Sequence, residues 1–408
     1  MTAVVFVAPF LLDATLRFVA AAAELPGVRL GVVSQDPEHK IPPVLRARIA
    51  AHYQVDDGLD AQQIADATRS LATRIGAPKR LVGALEQLQV PLAHVREALG
   101  IAGMDVETAM NFRDKARMKT VFEAHGLPCA RHATAGTPQE VERFLDKVGF
   151  PVVVKPLAGA GARSTYRLDD VDATKAWLHA QPPSPRDPVL LEEFMTGEEH
   201  SFDSVFLDGE PVWHSISTYT PAPLEVLRNP WMQWVVMLPR EIDGPEYDEI
   251  RTVAAASLRA LGLRTGLTHM EWFRRPDGSV AVSEVAARPP GAQITTLLSY
   301  AHDLDFYSAW AGLMSLDRFT PPERQYAVGA AYLRGQGRGR VQAIHGLAEL
   351  QRELGHLVVE ADLPEIGQSP TGTYEGEGYV IVRHPETAVV EAALARIVSV
   401  AHVELGDG

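Results

Sequence analysis

Across roughly the first hundred positions, short β-branched apolar runs alternate with stretches whose apolar residues recur every three or four positions. Residues 4–7 and 28–33 read as buried strands, and 11–24, 61–75 and 91–98 as helices with one apolar face. That alternation predicts an open parallel sheet with covering helices. No Gly-x-Gly-x-x-Gly follows the first strand, so a dinucleotide site is not expected there. Further on, Asn111 is placed to cap a helix ending at Gly126, and Thr137-Pro138-Gln139-Glu140 is a capping box for a helix closed by Gly149. Apolar strands are predicted at 151–155 and 189–195. Residues 197–291 read mostly as strand and loop, with one helix at 247–261. After Pro321-Pro322, strands at 327–333, 357–360 and 378–383 and helices at 343–354 and 386–397 predict an α+β lobe. The expected units are 1–110, 111–190, 191–320 and 321–408.

The chain has 408 residues, enough for several globular units with buried cores. Its net charge of −14 would repel a phosphate backbone, which argues against a nucleic-acid partner. A local basic pocket can still hold a small phosphorylated ligand. Lysine is the minority cation, seven residues against 31 arginines, and none lies beyond Lys175. Cys129 is the single cysteine, so neither an internal disulfide nor a cysteine-rich metal site is expected. No Lys or Arg precedes the apolar run at 4–12, and Asp13 and Arg17 follow it, so strand plus helix fits better than a signal peptide. No apolar stretch reaches the ~18 residues of a membrane span. No membrane association is expected, and the expected compartment is the cytoplasm.

Three segments carry candidate chemistry. In the first, strand-like runs flank Asp277-Gly278, which signals a two-residue hairpin. With that turn Glu271 falls opposite Glu284; Pro276 also permits a longer turn, which shifts the register by about one residue. Two facing carboxylates destabilise a sheet unless a cation lies between them, and oxygen ligands suit Mg²⁺. In the second, the strand ending at Lys155 runs into a small-residue loop holding Gly159, Gly161 and Ser164. Glycines let backbone N–H groups approach phosphate oxygens, and the lysine adds a point charge. The spacing is neither Walker A nor that of a protein kinase. In the third, Glu192-Glu193-Phe194-Met195 ends an apolar strand and Glu199 follows. This suits a flat heterocycle walled by Phe194 and Met195, with a carboxylate near ribose hydroxyls.

Taken in order, Asp114-Lys115, Val154-Lys155-Pro156, Glu192 to Glu199 and Glu284-Val-Ala-Ala-Arg288-Pro-Pro-Gly291 resemble the ATP-grasp superfamily. The resemblance is close over 111–300. With 337–341 and the lobe after it, the chain looks like carboxylate–amine ligases of the L-amino-acid (dipeptide) ligase kind. It implies an ATP-grasp fold, α/β and α+β, with a Rossmann-like domain before it and a small C-terminal lobe. By similarity, Lys115 and Lys155 contact ATP phosphates under the 159–164 loop. The Glu193 carbonyl and Met195 N–H read adenine, and Glu199 holds the ribose. Glu192 and Phe194 complete the nucleotide site. Glu271 and Glu284 carry Mg²⁺, for which Mn²⁺ can substitute, and Arg288 stabilises an acyl phosphate. Where many members have Asn two residues after the second metal glutamate, this chain has Ala286; the number of bound ions stays open.

The implied reaction joins a carboxylate and an amine, expected to be amino acids, with release of ADP and phosphate. The stretch 219–238 is a candidate lid or substrate wall. His214 and His269, on predicted strands, are candidates to orient the carboxylate or assist the amine's proton loss; His214 is the expected catalytic one because its strand leads into that stretch. A homodimer is compatible with the resemblance. Two other readings remain: a different ATP-grasp activity (a carboxylase or peptide-modifying ligase), or a nucleotide-binding sensor or scaffold without catalysis.

Overall fold

A computed structural model of the chain describes residues 1–158, 165–229 and 231–406. Strands Ala51–Gln54, Val28–Ser34, Thr2–Val7 and Arg80–Val82 form a parallel sheet in that order. Helix Asp13–Glu24 packs through Phe18 and Val19 on the face carrying Val4 and Phe6. Helix Ala61–Ile75 packs through Ile64 and Leu71 on the face carrying Val5 and Val7. Strand alternation thus buries both faces. The chain first builds outward from Thr2–Val7 on one side and then crosses to the other. This leaves a switch point beside Arg80–Val82, where such sheets place their crevice.

A four-stranded antiparallel sheet follows, in the order His132–Ala135, Val189–Glu193, Val152–Pro156, Tyr166–Leu168. Thr137 caps helix Pro138–Val148 as its sequence indicates. Asn111 does not act as a cap. It lies inside helix Val106–Arg113 and donates to the Leu261 carbonyl at 3.1 Å. The next helix, Lys115–Ala124, starts instead at Asp114, whose carboxylate accepts from the N–H groups of Ala116 and Arg117.

The largest sheet has eight antiparallel strands: Val280–Ala286, Gly266–Arg274, Glu198–Leu207, Glu210–Thr220, Trp234–Leu238, Ala327–Leu333, Gly378–His384 and Val358–Asp362. The last three come from the predicted C-terminal lobe. They extend the sheet of the preceding unit, so no break between sheets falls at residue 321. Residues expected as one helix over 343–354 are strand Arg340–His345 and helix Leu347–Leu354, separated by Gly346 at φ +83°. No helix among the described residues is long and apolar enough to cross a membrane.

The hairpin carrying the paired glutamates reaches the expected register by an unexpected route. Arg275 accepts the Gly278 N–H and donates to Ser279, so the loop is three residues long, with Gly278 at φ +86°. That length shifts the pairing by one: Arg274 faces Val280 and Trp272 faces Val282. A bulge at Ser283 then shifts it back, and Glu271 faces Glu284. The bulge also inverts the strand's facing. Val280 and Val282 lie in the apolar cluster with Met270 and Trp272, whereas Glu284 and Ala286 border the cleft on the opposite face.

Candidate active site

A cleft of about 790 Å³ lies between the four-stranded sheet and the eight-stranded one. Lys155, at the end of its strand, and Lys115, at the first turn of its helix, enter from one side. Glu199, Glu271 and Glu284 enter from the other, and Arg288 stands just beyond the edge strand. Glu193, Phe194 and Met195 border the same cleft. Gly159, Gly161 and Ser164 lie outside the described residues.

Charges here are buried or half-buried, and interlocked. Glu192 sits between two lysines, with Oε2 2.7 Å from Lys155 Nζ and Oε1 3.0 Å from Lys119 Nζ. Burial alone would raise its pKa, but the lysines outweigh that and hold it at about 2. Its carboxylate is thereby engaged in fixing the lysines. Lys115 forms an ion pair with Glu284. Burial would also raise the Glu284 pKa, yet Lys115 and Lys155 draw it down. Glu271 moves the other way, raised by burial and then by Glu284 opposite it. Glu199 is pushed up to about 8 by burial and by Glu271, with Lys155 offsetting part of that. A cation between Glu271 and Glu284 would relieve this crowding. Among the described residues no group of three or more His, Cys, Asp or Glu gathers to hold a metal alone. Two hard carboxylates with open positions therefore fit Mg²⁺ shared with phosphate oxygens.

The rim of the cleft is ordered by side chains the motifs did not include. Glu193 Oε2 pairs with Arg131 Nε at 2.6 Å. The Arg167 guanidinium stacks 4.1 Å from the Phe194 ring centroid, a cation–π contact beside the expected adenine position. Tyr219, Leu224, Asn229 and Trp234 of the 219–238 stretch line the cleft, and the stretch begins and ends in the sheet. Tyr219 lies on one strand, helix Pro223–Arg228 follows, and Trp234 begins the next strand, stacked 5.7 Å from Tyr219 and 5.0 Å from Tyr332.

His214 is a correction. It does not border the cleft; its ring stacks on Phe202 at 5.1 Å, on the sheet face opposite Tyr219. Positions 214 and 219 are an odd number apart, so one strand sends them to opposite faces. His269 is the imidazole that borders the cleft, its Nδ1 held 2.7 Å from the fully buried Asp203 carboxylate. Of the residues absent from the motif reading, Lys119 had a signal: it lies four positions after Lys115, on the same helical face. Asp203 had one too, four positions after Glu199 on one strand. Glu86, which reaches Arg288 from the N-terminal unit, had none.

Two lobes, one bringing lysines and the other paired carboxylates to a shared cleft, define a class of phosphate-gripping folds. Residues 148–297 match the family model of the ATP-grasp domain. The L-arginine-specific L-amino acid ligase of Bacillus subtilis is 25% identical over 276 residues, covering 66% of this chain and 65% of that protein. Phosphoribosylamine–glycine ligase of Streptomyces coelicolor is 36% identical over 168 residues, covering 41% of this chain and 38% of that one. The chain therefore spans less than two thirds of these curated relatives. Among solved structures, the L-amino acid ligase from Bacillus licheniformis superposes with a TM-score of 0.78 at 18% identity, covering 100% of this chain and 99% of that one. N5-carboxyaminoimidazole ribonucleotide synthetase from Thermotoga maritima gives 0.71 at 16% identity, with 100% of both chains covered. The fold is ATP-grasp, as the motifs indicated.

Proposed function

We propose that the protein is an ATP- and Mg²⁺-dependent ligase that joins a carboxylate to an amine through an acyl phosphate and releases ADP and phosphate. The observation that carries this reading is Glu271 facing Glu284 across the hairpin, with Lys115 and Lys155 directed at the same cleft. Glu271 and Glu284 would hold Mg²⁺, which when bound supplies charge neutralisation on the triphosphate. Lys115 and Lys155 steady the phosphoryl oxygens while a substrate carboxylate oxygen attacks. Glu193 and Met195 offer backbone groups to adenine. Glu199, its pKa raised to about 8, can both donate to and accept from ribose hydroxyls. Arg288 faces the acyl phosphate, where a fixed guanidinium stabilises the charge that develops as the amine attacks. His269 takes the orienting part expected of His214. The wall from Tyr219 to Trp234 screens the intermediate from water. The L-arginine-specific L-amino acid ligase of Bacillus subtilis, among the named relatives, supports small, amino-acid-like substrates for both positions.

The test is ADP release over a panel of amino-acid pairs, with and without Mg²⁺. Mg²⁺-dependent release that requires both a carboxylate and an amine supports the reading. Release with bicarbonate alone, or binding of ATP without release under any pair, contradicts it in favour of a carboxylase or a sensor. In the same assay His214→Gln is expected to change the rate by less than about twofold, well under 1 kcal/mol of barrier. A tenfold loss would return His214 to the chemistry.

A further inference from the structure

Arg288 is held by a carboxylate from the other end of the chain. Glu86 is buried just past strand Arg80–Val82, at the switch point of the N-terminal parallel sheet. Its Oε2 lies 3.2 Å from Arg288 Nη2 and its Oε1 2.6 Å from Arg113 Nη1. Arg288 Nη1 also donates to the Pro289 carbonyl at 2.9 Å. These contacts engage both terminal nitrogens and leave the remaining N–H groups for an anion in the cleft, which Arg288 borders.

We propose that Glu86 is a positioning residue, through which the N-terminal unit sets Arg288 for the phosphate-bearing substrate; this rests on the ligase reading of the cleft. The charge count favours it. One carboxylate shared by two guanidiniums leaves the trio with one net positive charge, so Arg288 is oriented without being neutralised. An unrestrained arginine side chain gives up substantial rotamer freedom when it engages an anion. A guanidinium fixed beforehand has made that sacrifice at folding, which is the condition for strong stabilisation of developing charge. Glu86 does not border the cleft that Arg288 lines, and it acts through Arg288.

The test reads anion binding, so it does not depend on knowing the amine and carboxylate. The protein is saturated with MgADP, and inorganic phosphate is titrated by calorimetry or thermal shift. Wild type is expected to bind phosphate beside MgADP. Glu86→Gln and Arg288→Ala are each expected to weaken phosphate by about tenfold with MgADP affinity within about twofold, and the double variant to be no weaker than Arg288→Ala alone. Glu86→Asp, which keeps the charge, is expected to recover part of the loss. If Glu86→Gln does not fold, Glu86→Gln combined with Arg113→Gln removes both members of that buried pair, and the same phosphate loss is expected. Unchanged phosphate affinity in the glutamine variants, additive losses in the double variant, or no phosphate binding to wild type would overturn the inference. Failure of wild type to bind MgADP would instead overturn the reading of the cleft.

Discussion

Replacing Glu271 by glutamine is expected to lower Mg²⁺-dependent ADP release by on the order of 10²–10³-fold while leaving the protein at least as stable as wild type. The two halves of that expectation have one cause. Glu271 is half-buried opposite Glu284, and desolvation and the facing charge both raise its pKa, so the ligand-free protein gains by losing the charge. The bound nucleotide loses a ligand for its cation. Activity and thermal unfolding measured on the same preparation check the pair of outcomes. Undiminished release, or a large fall in Tm, contradicts the assignment.

The reverse pattern is expected of Glu192→Gln. Glu192 is buried between Lys119 and Lys155, and removing its charge takes away the carboxylate that both lysines contact directly. Breaking a buried pair in this way costs about 3–5 kcal/mol, read as a fall in urea midpoint at constant m. Acid should reveal the same group. Its pKa is lowered from 4.5 to about 2 on folding, so its contribution is fully present above the unfolded value and fades as pH falls from about 4.5 toward 2. The wild-type stability curve should therefore bend down across that window more steeply than that of the glutamine variant. Parallel curves would show that the lysines do not depend on Glu192.

Much of the cleft was legible because its chemistry lies in continuous segments. Lys155 lies at the end of one strand, Glu192 and Glu193 end another with Phe194 and Met195 directly after it, and Glu271 and Glu284 flank one turn. What escaped the sequence reading was set by distance and by facing. Glu86 and Arg288 are separated by 202 positions, and no local pattern joins them. Three C-terminal strands, Ala327–Leu333, Val358–Asp362 and Gly378–His384, read correctly as strands, but the sheet they join depends on partners far along the chain. His214 failed on parity, which was readable: five positions from Tyr219 means the opposite face. Asn111 failed on competition, since Asp114 supplies a carboxylate where the helix restarts, and Asn111 is taken up by the Leu261 carbonyl.

The Ser283 bulge and the three-residue turn together have a consequence for how this hairpin tolerates change. The tip of the hairpin and its chemical end run on separate phases, joined at one residue. Insertions or swaps among residues 275–279 alter the outer phase alone, and the bulge insulates the two carboxylates from them. Loss of the bulge with Ser283 kept, so that it pairs as an ordinary strand residue, does the opposite. The tip keeps its shape, and Glu284 is turned off the cleft toward the apolar face that holds Val282 and Trp272. The permissive site for engineering is thus the exposed turn, and the fragile one is a small serine that forms no part of the proposed chemistry.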